Sequence, residues 1–390
     1  MLARKIRLVT TLAARRPKGW RSLLWNSSMA QLRRPGPLMA PVHVSIEPTN
    51  ACNARCPVCE TGKGDMRRRT GFLDEDLYRA FIDEAAPTTA VLLFYFMGEP
   101  FMHRSAYDMI RYARDKGIFV ETCTNGDFVN AEGVIYSDVN RISFQIGGLD
   151  QATHERYRVR SRLDKAMRNL EELVALRRRH PNSNVQIEVG FIVMRHNEHQ
   201  VDEFLRWAKA IGADRANVID PCARNMLEAH AYLPRDRRYW YYDEEAFARG
   251  VLKPKKVPDN ECVWIWNSIQ LNWDGSAVPC CRDPNGRFIL GNVFEEGLRA
   301  VFNGERATAF RRRILTEQGK VSICRLCSGY GLPRLEHARP AGFTVERHTV
   351  NPTDVPSHEE AIAAAPNRER ALAQRETAAA GLQGPTPAAG

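Results

Sequence analysis

The strongest chemical signal in this 390-residue sequence is three cysteines within eight positions, Cys52-Asn-Ala-Arg-Cys56-Pro-Val-Cys59. Three soft thiolates on one loop can hold three irons of a cubane and leave the fourth without a protein ligand. An open iron is a place for chemistry. Structural zinc requires four ligands, and no further Cys or His follows before His103. A second group is spread over three segments: Cys262, then Gly275 and Cys280, then Cys324-Arg-Leu-Cys327. Four such thiolates can close a tetrahedral site, so zinc stays a rival to iron there. Cys281 competes with Cys280 for the same place, while Cys123 and Cys222 stand outside both groups.

Clusters this tight are too close to staple distant loops and read as metal ligation. Thiolates that bind iron must stay reduced, and no secretory signal is evident at the start, so a cytoplasmic setting is expected. With 44% hydrophobic and 26% charged residues the composition is that of an ordinary globular protein, and no apolar run approaches the ~18 residues of a membrane span. The net charge of +10 is uneven: residues 1–46 hold nine Lys or Arg and no acid, and the rest is nearly neutral. That excludes a broad basic nucleic-acid face on the body. Residues 1–35 mix the cations with Leu, Ile and Trp, which fits either a helix packed on the protein's own surface or a peripheral contact with an anionic membrane.

The elements that must position these cysteines follow from hydrophobic periodicity. Strands are expected at Val42–Glu47, Ala90–Phe96, Phe119–Thr122, Arg141–Ile146, Val185–Val193 and Arg215–Ile219, with helices at Asp74–Glu84, His103–Lys116, Arg162–Arg179 and Glu198–Ile211. Alternation of this kind builds an α/β fold around a parallel sheet. About six repeats fall short of a full barrel, so a partial (βα)6 TIM-like barrel is expected. Its working groups belong on the loops after the strands, where Cys52–Cys59, Asn125 and Cys222 fall. Residues 1–41 are expected to form a basic extension, 42–225 the barrel, 226–260 a linker, 261–335 a small cysteine-bearing domain with Val263–Leu271 and Gly275–Val278 as a hairpin, and 336–390 a disordered tail.

The C-x3-C-x2-C loop resembles that of the radical S-adenosylmethionine (SAM) superfamily, and the resemblance extends along the chain. Phe96-Met-Gly98-Glu99-Pro100 is similar to the family's glycine–glutamate–proline segment, whose backbone and carboxylate bind the SAM amino group. Thr124-Asn125-Gly126 matches a segment frequent after the third strand. In the fourth strand, Gly147 stands where relatives often have aspartate, which makes Ser143 and Gln145 the nearest polar candidates for SAM contacts. Val193-Met-Arg195-His-Asn197 resembles the strand end beside ribose and adenine. Cys262, Gly275, Cys280, Leu290-Gly-Asn-Val293, Cys324 and Cys327 resemble the auxiliary-cluster domain called SPASM or twitch, in a version carrying one auxiliary [4Fe-4S] cluster, as in the dehydrogenases of 2-deoxy-scyllo-inosamine.

The resemblance implies that a [4Fe-4S] cluster on Cys52, Cys56 and Cys59 binds SAM and cleaves it to a 5′-deoxyadenosyl radical, which abstracts a substrate hydrogen atom. It implies an electron donor such as flavodoxin or ferredoxin and an auxiliary cluster that takes an electron. The expected reaction is oxidation of a small sugar-like or lipid-linked metabolite, with peptide maturation as the alternative. An epimerase with Cys222 as the catalytic hydrogen donor is a further alternative, against the plain reading of Cys222 as a small buried hydrophobe. Arg237-Arg-Tyr-Trp-Tyr-Tyr242 reads as interdomain packing before it reads as a substrate pocket. His103 and His196 read as supporting residues near the rim rather than as bases.

Overall fold

Strand β4 (Arg141–Ile146) shows how the sheet divides its faces: Ile142, Phe144 and Ile146 alternate with Arg141, Ser143 and Gln145. The apolar set packs into the main core with the helices, as Ile187, Val189 and Phe191 do from β5 (Gln186–Ile192). The polar set faces inward and meets its partners on neighbouring strands. Arg141 pairs with Glu121 of β3 (Phe119–Thr124) at 2.9 Å and with Glu188 of β5 at 3.2 Å. Arg215 of β6 (Arg215–Asp220) also reaches Glu188, at 3.1 Å. Buried charges persist only when paired, and here the pairing crosses four strands.

The computed structural model describes residues 17–329 and 339–349. The first sixteen residues of the basic extension, residues 330–338 and residues 350–390 of the expected tail lie outside the described residues. A ten-stranded sheet runs in the order β10-β6-β5-β4-β3-β2-β1-β7-β8-β9. Strands β1 (His43–Ile46) through β6 are parallel, with β2 at Val91–Leu93. Helix α1 spans Pro17–Gln31, α2 Glu75–Ala85, α3 Ala106–Asp115, α4 Ala131–Ser137, α5 Leu163–Arg179 and α6 Val201–Ile211. In α2, Asp74 caps the N–H groups of Asp76 and Leu77, and Tyr78, Phe81, Ile82 and Ala85 form the buried stripe.

Three expectations are corrected. Residues 226–260 are not a bare linker: α7 (Met226–Tyr232) opens a small core of its own, in which Ala223, Leu233, Trp240, Tyr241 and Tyr242 are buried. The aromatic run is therefore packing. The stretch Val263–Leu271 is not one strand, because Trp264–Asn267 makes a helical turn that buries both tryptophans. Strand β7 begins at Ser268 and ends at Leu271; it forms the hairpin with β8 (Ser276–Val278) but also pairs parallel with β1, His43 opposite Ser268. The auxiliary segment is thus fused to the main sheet, and β9 (Gly291–Asn292), α8 (Leu298–Asn303) and α9 (Glu305–Glu317) follow it. Finally, Thr344–Thr349 of the expected tail is strand β10, parallel to β6. Edge pairing and the ion pairs Arg347–Asp220 (3.0 Å) and Arg215–Glu346 (3.5 Å) outweigh the polar composition there.

Candidate functional site

The cysteine loop leaves β1 at Glu47, a fully buried carboxylate that takes both ends of Arg68 at 2.8 Å and the Trp273 N–H at 3.3 Å. Arg68 in turn donates to the Pro284 carbonyl at 2.6 Å, so the loop is tied to the segment that follows Cys280 and Cys281. After β2, Gly98 lies against the cysteine loop in a left-handed conformation (φ +78°). A Cβ there would stand 2.4 Å from the Thr49 carbonyl oxygen and 2.6 Å from that of Ala51, so glycine is required twice over. The adjoining Glu99 N–H donates to the Ala51 carbonyl at 2.8 Å.

The Glu99 carboxylate turns inward. It accepts from Thr124 Oγ1 (2.7 Å), the Asn125 N–H (2.8 Å) and the Phe101 N–H (3.3 Å). Burial nevertheless pushes its carboxyl up to about 7. The carboxylate therefore holds the end of β3 in place, and the segment meets the cysteine loop through its backbone. Asn125 then carries the support onward: its Nδ2 donates to Asn53 Oδ1 at 2.7 Å and lies 3.9 Å from Cys52 Sγ. Asn53 bonds Asp127, which also accepts from Ser161 Oγ at 3.2 Å.

Around the three sulfurs, Cys52, Cys56 and Cys59 share an apolar cluster with Ala54, Val58, Tyr157 and Met194, and Tyr232 packs on it. Burial pushes the Cys52 thiol up to about 12 and also raises Cys59. One cation enters this cluster: Arg158 Nη1 lies 3.9 Å from Cys56 Sγ, and its buried Nε has no hydrogen-bond partner. Among the described residues no carboxylate pairs with Arg158.

The remaining expected contacts divide. Gln145 bonds Ser143 Oγ at 2.9 Å and fills the space above Gly190, so this pair stays on the inner face of β4. Asn197 is fully buried and uses its side chain on protein alone, accepting from the Met194 N–H (2.7 Å) and donating to the Gly147 (3.0 Å) and Ile192 (2.9 Å) carbonyls. It positions two strand ends. Arg195 is exposed at the rim with its Nε on the Leu233 carbonyl. Gly147 is closely packed: a Cβ would stand 3.0 Å from Arg158 Cγ and 3.1 Å from the His154 carbonyl oxygen. His103 bonds the Leu73 carbonyl at 2.8 Å, a supporting contact. Cys222 packs on the satellite core with Tyr241 and Tyr242, and burial pushes its thiol up to about 11.

The second cysteine set is assembled from backbone as well. Cys262 receives the N–H groups of Trp264 and Ile265 at the start of a helical turn, and Gly329 N–H donates to Cys327 Sγ at 3.3 Å. Burial is the main cause that raises Cys262, Cys280 and Cys324, with Cys327 adding to Cys262 and Cys324 to Cys280. Arg282, only 1% exposed, reaches across with Nε to the Ile323 carbonyl and Nη1 to the Leu326 carbonyl at 3.3 Å, the residues just before Cys324 and Cys327. Sequence reasoning missed Arg282, Arg158 and the buried pair Arg224–Glu60 (2.8 Å), which anchors the residue after Cys59 to the loop after β6. The only signal was a charged residue next to a cysteine or glycine motif.

Both sets fit iron–sulfur clusters. Bare thiols this buried hold their protons, and iron replaces those protons when it binds. An unpaired guanidinium and several N–H groups aimed at sulfur suit bound thiolates.

Residues 46–208 match the radical SAM superfamily, and residues 262–328 match the SPASM iron–sulfur cluster-binding domain. The chain belongs to the SPASM branch of the radical SAM superfamily and is a radical SAM enzyme; its cofactors are SAM, a SAM-binding [4Fe-4S] cluster and auxiliary iron–sulfur. Among individual proteins, it is 24% identical to the tungsten-containing aldehyde ferredoxin oxidoreductase cofactor-modifying protein of Pyrococcus furiosus, over 73% of this chain and 87% of that one. It is 25% identical to the mycofactocin maturase MftC of Mycobacterium tuberculosis, over 75% of this chain and 77% of that one. The crystal structure of Streptococcus suis SuiB bound to S-adenosylmethionine superimposes with a TM-score of 0.57 at 14% identity, covering 77% of this chain and 73% of SuiB, a likeness of fold. No described helix is long and apolar enough to cross a membrane.

Proposed function

We propose that this enzyme is a maturase that modifies a peptide substrate, with Cys52, Cys56 and Cys59 holding the SAM-binding cluster and Cys262, Cys280, Cys324 and Cys327 an auxiliary one. The observation that carries the maturase reading is the match to the mycofactocin maturase MftC across three-quarters of both chains. It favours peptide maturation over the oxidation of a sugar-like metabolite.

With cluster and SAM bound, the chemistry supplied is reductive cleavage of SAM to a 5′-deoxyadenosyl radical. The chain's own residues prepare that site. The Gly98–Pro100 backbone lies against the cysteine loop, Asn125 orients Cys52, and Arg158 balances the negative charge that three thiolates bring. Tyr157, Met194 and Tyr232 exclude water. Ser143 and Gln145 offer polar atoms on the inner face, and Arg195 offers a cation at the rim. Cys222, held protonated by burial, is the candidate donor of a hydrogen atom to a substrate radical.

Anaerobic reconstitution with SAM and a reduced flavodoxin or ferredoxin, against synthetic peptides on one side and 2-deoxy-scyllo-inosamine on the other, tests the reading. Formation of 5′-deoxyadenosine coupled to a mass change in a peptide is expected. Coupled turnover of the cyclitol, with peptides inert, would refute peptide maturation. A Cys222→Ala variant with unchanged product stereochemistry and yield would remove Cys222 from the mechanism.

A further inference from the structure

Helix α1 has one face on the enzyme and one face turned outward. Ser22, Leu23, Asn26 and Met29 are buried, and Asn26 locks the following loop by donating to the Ala40 carbonyl and accepting from the Met39 N–H at 2.9 Å. The opposite face carries Leu24, 44% exposed, and Trp25, 48% exposed, and Leu32, just past the helix end and about two turns on, is 68% exposed. Exposed apolar residues scattered singly need no explanation, but three on one stripe do.

Charge along this part of the chain has a single sign. Arg21 opens it, Arg33 and Arg34 close it, and no acid occurs before Glu47. Arg33 also lines a shallow groove with Arg312 and Arg313 of α9, in which Glu317 is the one acidic wall residue. An apolar strip with tryptophan beside it and cations along its margins matches the boundary of an anionic bilayer, where indole sits at headgroup level, leucine enters the acyl edge and arginine meets lipid phosphate. A nucleic acid would use the cations but not the leucines.

We propose that the outward face of α1, with the arginines beside it, docks the enzyme on an anionic lipid surface. This goes beyond the substrate reading and does not depend on it. The orientation places α1 against the membrane while its other face stays on the enzyme, so docking needs no unfolding.

The test is co-sedimentation of the full-length, reconstituted enzyme with phosphatidylcholine vesicles and with vesicles containing phosphatidylglycerol. Binding to the anionic vesicles only is expected, falling about tenfold in a Leu24→Asp/Leu32→Asp variant and in an Arg21→Glu/Arg34→Glu variant, and with added salt. SAM cleavage should be unchanged in both variants, which shows that they fold. No sedimentation with anionic vesicles overturns the proposal. So does binding that survives both variants and is lost only when residues 1–16 are removed. Analytical ultracentrifugation supplies the last arm: a dimer that Leu24→Asp dissociates would make the face a contact between two copies and overturn the lipid reading.

Discussion

The two cysteine sets lie on segments that adjoin neighbouring strands of one sheet, β1 for the first and β7 and β8 for part of the second, yet they are held by opposite means. Cys52, Cys56 and Cys59 ride on a single loop after β1, steadied by side chains from the segments that follow β3 and β4: Asn125 beside Cys52 and Arg158 beside Cys56. Cys262, Cys280, Cys324 and Cys327 come from three segments, and one buried guanidinium, that of Arg282, clamps the backbone before the last two. On the proposed assignment the first set borrows its rigidity from the main sheet and would leave one iron position for a ligand, while the second carries its own clamp and would close completely. Because β7 pairs residue by residue with β1, the spacing between the sets is a property of the sheet, not of a linker.

The sharpest way to break this comparison is to remove one thiol from each side. Cys56→Ala should abolish 5′-deoxyadenosine formation, since the ligand-accepting iron is lost with its cluster. Cys327→Ala should lose about half the bound iron, as expected for two cubanes, and still cleave SAM without substrate turnover. If Cys327→Ala is as inert as Cys56→Ala, or if Cys56→Ala still cleaves SAM, the division of labour fails. Iron content and product assays on the same preparations decide it.

A second, smaller effect separates the clamps. Arg282→Met strands two carbonyls in a buried region, at roughly 1–3 kcal/mol each, so a loss of about 2–6 kcal/mol in stability is expected together with lower iron retention. Arg158→Met removes a cation that has no carboxylate partner, and relief of its burial cost offsets much of the lost contact. Its thermal midpoint should stay near that of the unaltered enzyme while iron at the first set falls. Equal losses of stability in calorimetry for the two variants would show that the clamps are alike after all.

What could be read from sequence, and what could not, follows the same line. The C-x3-C-x2-C loop, Gly98 and the strand–helix alternation were legible because each depends on residues close in the chain. So was the parallel sheet, since β4 and β5 carry a clear two-residue period. The parallel pairing of β7 with β1 was not, because a hairpin signal around Asp274–Gly275 says nothing about the outer partner of its first strand. Strand β10 was hidden for a related reason: Thr344–Thr349 gains its order from ion pairs to residues more than a hundred positions away. Asn197 and Glu99 were placed at the loops where they lie, but the protein partners of their side chains were not legible. Only the partners, which sequence does not give, distinguish a residue that touches a ligand from one that positions a strand end.

Glu99 offers the mildest and most selective probe of the first region. Its carboxyl is raised from an ordinary 4.5 to about 7, chiefly by burial. Between those values the folded chain keeps a proton that the unfolded chain has released. The associated stability is therefore fully present below about pH 4.5 and is lost as pH rises through 7. One proton corresponds to at most about 1.4 kcal/mol per pH unit, so a decline on the order of 2 kcal/mol from pH 5 to pH 7.5 is expected in thermal unfolding of the enzyme before cluster and SAM are loaded. Glu99→Gln should flatten that decline, because the amide cannot titrate, while Cys327→Ala should keep it, because the second set lies on other segments of the chain. A slope that survives Glu99→Gln would assign the titration to another buried group. A slope lost in Cys327→Ala would mean that the two regions are coupled more tightly than their separate clamps imply.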